Sequence, residues 1–367
     1  MKILFLYTEL AEYFLACVRE LVRQGHEAHI VRWPVNQEAP FEFQFGEGIT
    51  VYNRDDYNDK ALIALAETIA PQAVVCSGWI DRDYVKVCNR FKKQAVTILA
   101  LDNKWKGSLK QQFARIISPF TLKRIFKYAW VPGHLQASYA RKLGFAESNT
   151  RNGFYSANTP FFAAYYDAFK AEKEKAFPHR FIFAGRYYQF KGVSELWQAF
   201  TELKEEQPND WQLWCLGTGD VPPADHPAIH HFGFVQPAEM QTYLQQAGVF
   251  VMPSRVEPWG VVLHEFAAAG FPLVCSSNVG AVKQFVKDGE NGFVFSAGDV
   301  KALKEALLKT INTPDEDLKR MGHASAQLGK EITPETWAAT LLGMIGLQEQ
   351  PQTQVVTDMP EADVSSR

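Results

Sequence analysis

The sequence has no long apolar run: nowhere does it approach the ~18 consecutive apolar residues that a bilayer crossing needs. The opening MKILFLYTELAEYF is apolar only as far as Tyr7 and then meets Thr8 and Glu9, so it reads as a strand rather than a secretory signal, and the expected location is the cytoplasm. Cysteine is sparse and scattered. The five (Cys17, Cys76, Cys88, Cys215 and Cys275) are odd in number and none shows C-x-x-C spacing, which argues against a disulfide framework or a zinc site and for buried thiols. Neither sign of charge dominates. A formal net charge of −3 supplies no global field for nucleic acid, and no nucleic-acid partner is expected. A short internal repeat is also missing, which removes solenoid architectures.

What is present is ordinary globular composition, 47 % hydrophobic and 22 % charged, over 367 residues. That length exceeds the usual limit of one hydrophobic core, so two domains are expected. Short apolar runs at Ile3–Tyr7, Ala28–Val31, Ala73–Cys76, Ala95–Leu101 and Ala129–Val131 read as strands with helical patterns between them. The theme restarts with Arg180–Ala184, Gln212–Leu216, Val249–Met252 and Leu273–Cys275, with helices predicted at Val193–Leu203, Pro237–Gln246, Val261–Ala269 and Val300–Leu308. Continuous apolar strands alternating with helices indicate parallel sheets covered on both faces. The fold class is therefore α/β, with two Rossmann-like, doubly wound parallel-sheet domains facing a cleft. The expected boundaries are 1–157 for the N-terminal domain, 158–178 for a linker and 179–332 for the C-terminal domain. A C-terminal helix at 333–348 would be able to pack back on the N-terminal domain, and 349–367 reads as a disordered tail.

In doubly wound sheets ligands bind beyond the carboxyl ends of the strands. After Phe181–Ala184 come Gly185 and Arg186, with Lys191 five residues on; two cations beside glycines suit a diphosphate, and for so short a motif two solvated charges are the alternative. The next strand ends in Gly217-Thr218-Gly219-Asp220, where glycine permits a close approach to a ligand and an ordinary turn is equally compatible. The third strand end reads VMPSRVEPWGVVLHEFAAAGFPLVCS. Gly260 opens a helix whose first N–H groups, at Gly260, Val261 and Val262, have no intrahelical partner and form a ready anion site. Glu257 precedes that site and can accept bonds from sugar hydroxyls; Glu265 lies just over one turn into the helix, placed to accept both hydroxyls of a ribose. The alternative is a helix with two surface glutamates, but the run VVLHEFAAAG reads as buried, and a buried carboxylate needs partners.

Glu257-x7-Glu265 within PSRVEPWGVVLHEFAAAG, preceded by FAGRYYQFKG and LGTGD and followed by GAVKQFVKDGENGFVF, resembles the retaining glycosyltransferases of family 4, the group 1 type with the GT-B fold of two Rossmann domains. The resemblance runs through the C-terminal half. It implies that Arg186 and Lys191 grip a diphosphate and that Glu257 holds the donor sugar, with Arg186, Lys191 and Glu257 as the catalytic set. It further implies that Gly185, Gly217, Trp259, Gly260, Val261 and Glu265 line the nucleotide-sugar site. One departure is Phe266, where the family usually carries alanine.

The N-terminal half conforms less. Where the family has a glycine-rich loop this chain has Thr8-Glu9-Leu10-Ala11, and where the family has a histidine it has Leu101-Asp102-Asn103. Glu9, Asp102, Asn103, Trp105 and His134 are the candidates for the acceptor side. The triplet Asp81-Arg82-Asp83 has the D-x-D form that holds a divalent metal in another glycosyltransferase fold; a helix cap is the preferred reading, and neither a metal nor another cofactor is expected. Residues 90–127 carry ten basic side chains and one acid, Asp102, interleaved with aromatic and aliphatic residues. Such a surface suits anionic lipid headgroups; the alternative is a basic helix pair whose apolar side packs inside. Together these features lead to an expected function: transfer of a hexose-type sugar from a UDP- or GDP-linked donor to a sugar, lipid-linked or other hydroxyl acceptor. A nucleotide-sugar epimerase of the same fold and a non-catalytic sugar-nucleotide-binding protein are the alternatives.

Overall fold

The computed structural model describes residues 1–36 and 40–346. The tail expected at 349–367 and the last two residues of the helix expected at 333–348 lie outside them. The N-terminal sheet has seven parallel strands: β1 (Lys2–Tyr7), β2 (Glu27–Arg32), β3 (Ile49–Asn53), β4 (Ala73–Ser77), β5 (Val96–Ala100), β6 (Tyr128–Trp130) and β7 (Thr150–Arg151), in the order β3-β2-β1-β4-β5-β6-β7. The C-terminal sheet has six: β8 (Arg180–Ala184), β9 (Gln212–Leu216), β10 (Ile229–His231), β11 (Val249–Met252), β12 (Leu273–Ser276) and β13 (Gly292–Phe295), in the order β10-β9-β8-β11-β12-β13. Two doubly wound domains result. Strand order reverses at β1 in one sheet and at β8 in the other, and a crevice opens at such a switch point. Thr8 and Glu9 follow β1, and Gly185 and Arg186 follow β8, so both switch points deliver candidate site residues.

The strands are apolar on both faces because each sheet is covered on both. In β1, Ile3, Phe5 and Tyr7 enter one core cluster while Leu4 and Leu6 enter the cluster on the opposite face. In β11, Val249 and Val251 face one cluster and Phe250 and Met252 the other. All five cysteines are buried and free. Phe266, the departure from the family pattern, stacks on Phe250 with ring centroids 4.0 Å apart and meets Phe271 edge-on at 5.0 Å, so it fills the core beneath β11.

Two segments cross between the domains. Residues 158–178, expected as a linker, are instead occupied by the helix Thr159–Lys175, which packs on the C-terminal domain through Phe162 and Phe169. In the charged run KAEKEK of its last turns, Glu172, Glu174 and Lys175 are exposed, while Lys173 turns inward with its ammonium 3.9 Å over the Phe271 ring. The chain returns after the helix Asp315–Leu328, and the helix Pro334–Ile345 lies on the N-terminal domain against Glu12–Arg23. Trp337 anchors it: its ring is 4.7 Å from that of Trp130 and 6.2 Å from that of Phe5, and its indole N–H donates to Phe154 O at 2.7 Å. Both crossings meet one side chain. His264 Nδ1 accepts from Ala157 N at 3.0 Å and Nε2 donates to Gly329 O at 2.8 Å. Those partners require the neutral ring, and burial holds its pKa down at about 4.

Trp337→Ala removes a fully buried indole and leaves the Phe154 carbonyl unpaired. It is expected to cost about 3–5 kcal/mol, read as a lowered urea midpoint of the N-terminal domain by tryptophan fluorescence.

Candidate functional site

The two switch points open onto one cleft of about 1920 Å³. That exceeds the 300–1,000 Å³ usual for a single small ligand, and leaves room for a second. Its C-terminal wall carries Gly185, Arg186, Lys191, Gly217, Glu257, Trp259, Gly260, Val261 and Glu265, and its N-terminal wall carries Glu9, Asp102 and Asn103. Trp105 and His134 do not line it. Trp105 packs on Tyr139, with the Lys142 ammonium over its ring, and His134 is an exposed first residue of the helix His134–Lys142. Gln136, two residues on, is the one that reaches across: its Nε2 donates to Pro258 O at 2.6 Å.

The C-terminal wall is shaped by backbone. At Gly217 φ is +143°, and a Cβ there would run into the carbonyl of Gly185, so only glycine lets the β8 and β9 ends close on each other. Gly260, at φ +92°, precedes the helix Val261–Ala268 and has no side-chain cap. Val261 and Val262, whose N–H groups open the helix, line the cleft with the positive end of the helix dipole behind them, while the Leu263 N–H already donates to Gly260 O at 3.0 Å. Trp259 is buried with its indole N–H unsatisfied among the described residues, and its ring leaves no space for a Cβ at Gly133 on the opposite domain. Residues 258–260 are thus held from both sides.

The charges are paired across this space. Lys191 forms an ion pair with Glu257, and Arg186 forms one with Glu9 across the cleft. Glu265 is different. It is mostly buried, no described residue donates a hydrogen bond to it, and burial pushes its carboxyl up to about 7.

On the opposite wall, residues that the sequence did not single out surround Asp102. Tyr155 OH donates to Asp102 Oδ2 at 3.2 Å, and Tyr155 meets Tyr13 edge-on at 5.6 Å. Burial raises the Asp102 carboxyl against the effect of that hydrogen bond. Tyr13 is held protonated by burial, then by the negative charges of Asp102, Glu9 and Glu265. A tyrosine hydroxyl in the field of three carboxyl groups, one of them on the donor-side helix, links the two walls. Nothing in sequence spacing could reveal this, because Tyr13 and Tyr155 come from segments far apart in the chain.

The D-x-D triplet is explained without a ligand. Asp81 caps the helix Arg82–Phe91, accepting from the N–H groups of Asp83 and Tyr84, and Arg54 bridges Asp81 and Asp83 at 2.7 Å each. Among the described residues no three His, Cys, Asp or Glu side chains are grouped to hold a metal ion.

Residues 178–313 match the family described as Glycosyl transferases group 1. The match falls within the C-terminal domain and covers about a third of the chain, so it marks a similarity of that domain to group 1 glycosyl transferases. Glycogen synthase of Mycobacterium tuberculosis is 28 % identical over 219 residues, covering 56 % of this chain and 50 % of that one. Phosphatidyl-myo-inositol mannosyltransferase of Mycobacterium leprae is 35 % identical over 138 residues, covering 35 % of this chain and 36 % of that one. The chain thus spans about half or less of the length of these curated relatives. In structure, HepE of Anabaena, solved with UDP and glucose, superposes with a TM-score of 0.71 at 14 % identity over 94 % of this chain and 99 % of that one. Sucrose-phosphate synthase of Thermosynechococcus elongatus gives 0.69 at 17 % identity over 94 % and 98 %. The GT-B fold is common to both domains, while the group 1 sequence match lies in the donor-side domain.

The raised carboxyl of Glu265 makes a signed prediction. Below pH ~4.5 the group is protonated folded and unfolded alike; above its folded value of about 7 it is charged in both states. The unfavourable burial of its charge therefore grows between those limits. Glu265→Gln is expected to melt several degrees above the wild type at pH 8, with the difference vanishing near pH 4.5, measured by differential scanning calorimetry of the ligand-free protein.

Proposed function

We propose that the cleft transfers a hexose-type sugar from a nucleoside-diphosphate donor, UDP- or GDP-linked, to an acceptor hydroxyl, with the anomeric configuration retained and without a bound metal. One observation carries this reading. Two cations, an uncapped helix start and two carboxylates converge on one face of a cleft that has room for a second substrate. Arg186, Lys191 and the N–H groups after Gly260 would receive the diphosphate, Glu257 the sugar hydroxyls and Glu265 the ribose. The anomeric carbon–oxygen bond to the diphosphate breaks, its electron pair leaves with the phosphate, and the donors around it stabilise that charge. The acceptor oxygen bonds to the anomeric carbon and its proton passes to a phosphate oxygen. Asp102, held by Tyr155, would orient the acceptor hydroxyl in the place where the family resemblance expects a histidine. Residues 258–260, gripped by both domains, keep donor and acceptor walls in register and exclude water.

An acceptor carried by a lipid fits this reading, because Asp102 of the N-terminal wall lies within the basic segment 90–127. The named relatives act in this range of chemistry, a polysaccharide synthase by one name and a phosphatidylinositol mannosyltransferase by the other.

Arg186→Ala is expected to lower turnover about 100-fold, and Glu265→Ala to raise the donor KM about 10-fold, measured by release of nucleoside diphosphate with a panel of UDP- and GDP-sugars. Wild-type kinetics in both variants would sink the proposal. Isomerised donor without transfer would turn it to an epimerase, and binding without either reaction to a non-catalytic protein. Glu9→Gln, which frees Arg186 from its ion pair, is expected to tighten nucleotide binding several-fold by isothermal calorimetry.

A further inference from the structure

The helix Leu109–Ile117 lies on the N-terminal domain inside out. Its inward side is polar or small: Gln111 donates to Lys104 O at 2.9 Å and accepts from Lys106 N at 2.7 Å, Ala114 touches the core, and Ser118 just beyond the helix is buried. Its outward side is apolar. Leu109 is 84 % exposed, Phe113 63 % and Ile116 69 %, and Phe120 continues the ridge at 68 %. Not one residue of this helix is buried. The spacing of four, three and four residues sets these side chains in a single row along one helical face. A row of large apolar groups turned to water is the signature of a surface that is covered in use. The sequence left open whether the apolar side of segment 90–127 packs inside; for Phe126 it does, and for this row it does not.

The charge around the row identifies the cover. From Asn103 to Ala146 the chain has nine lysines and arginines and no acidic residue. Lys110, Arg115, Lys123 and Arg124 are exposed and in no ion pair among the described residues, and Arg124 lies over the Phe120 ring at 5.7 Å. A second copy docked face to face would set like charges against each other. A bilayer bearing anionic headgroups satisfies both features at once, with acyl chains receiving the apolar row and phosphates receiving the cations. We propose that this ridge is a docking surface for an anionic lipid membrane. The loop bearing it leaves the end of β5 at Asp102, six residues before the Ser108 cap, so docking brings the acceptor wall of the cleft to the headgroup layer. Only that last step, delivery of a membrane-held acceptor, rests on the function proposed for the cleft; the surface itself does not.

The test is flotation of the full chain with vesicles of phosphatidylcholine alone or mixed with phosphatidylglycerol, in the absence of any nucleotide sugar. Binding is expected to the mixed vesicles only, to be released by high salt as screened electrostatics requires, and to weaken at least tenfold in the double variant Phe113→Ser, Ile116→Ser. Both positions are solvent-exposed and outside the cleft, so an unchanged melting temperature and circular dichroism spectrum confirm that the variant is folded. Equal binding to neutral vesicles, no binding to either, or undiminished binding of the folded variant overturns the proposal. So does a wild-type dimer in sedimentation that the double variant converts to monomer, which would assign the ridge to a second copy. Vesicle binding that persists while every donor fails to turn over would leave this surface standing and remove the reading of the cleft.

Discussion

One imidazole ties together the two stretches of chain that cross between the domains. His264 accepts from the chain as it leaves the N-terminal domain and donates to it on the way back, and it does so from the helix whose first turn faces the cleft. Each ring nitrogen has a fixed role, so the ring must stay neutral, and its buried position enforces that. Its neighbour on the helix has the opposite fate from the same cause. Glu265 is also withdrawn from water, but it has no hydrogen-bond donor among the described residues, and its carboxyl is raised instead of its charge being stabilised. A satisfied group and an unsatisfied one therefore follow each other in sequence, the first tying the crossings and the second facing the space between them.

The cations of the cleft are not free in the unliganded protein. Lys191 and Glu257 neutralise each other within the C-terminal domain, whereas Arg186 reaches Glu9 across the cleft. Under the function proposed for the cleft, a diphosphate arriving at this wall would exchange with those carboxylates, so its binding would replace ion pairs and not add new ones. The second exchange also breaks a bond between domains. Because Gln136 and the close approach of Gly133 to Trp259 persist independently of it, the domains remain in contact while the local pairing changes. Partly buried pairs are worth little net stability, which makes this exchange inexpensive.

The inner strands of the C-terminal sheet were legible almost residue by residue, since Arg180–Ala184, Gln212–Leu216 and Val249–Met252 are largely buried apolar runs bounded by glycine, proline or charge. The short strands β3, β7, β10 and β13 were not. They are the outer strands of the two sheets, two to five residues long, and too short or too polar to stand out by composition. The helix Thr159–Lys175 was obscured by its charged last turns. In the site, the donor wall could be read because Arg186, Lys191, Glu257, Gly260 and Glu265 follow strand ends in local order. Asp102 could be flagged in the same way, but Tyr155 and Tyr13 meet it only through the tertiary fold, and Trp105 and His134, which follow strand ends just as plainly, turn away from the cleft.

The ridge of Leu109, Phe113, Ile116 and Phe120 shows where periodicity alone stops. An apolar row at helical spacing says that one face is to be covered, not what covers it. In the helix Glu12–Arg23 the same pattern turns inward, burying Phe14, Leu15, Val18 and Leu21 against the sheet. In Leu109–Ile117 it turns outward because the domain core beneath is already closed by Leu122, Phe126 and Tyr139, and the polar Gln111 is engaged by the backbone of the preceding loop. The hydrogen bonds of that one glutamine fix the helix in rotation, and with it the direction in which every apolar side chain of the row must face.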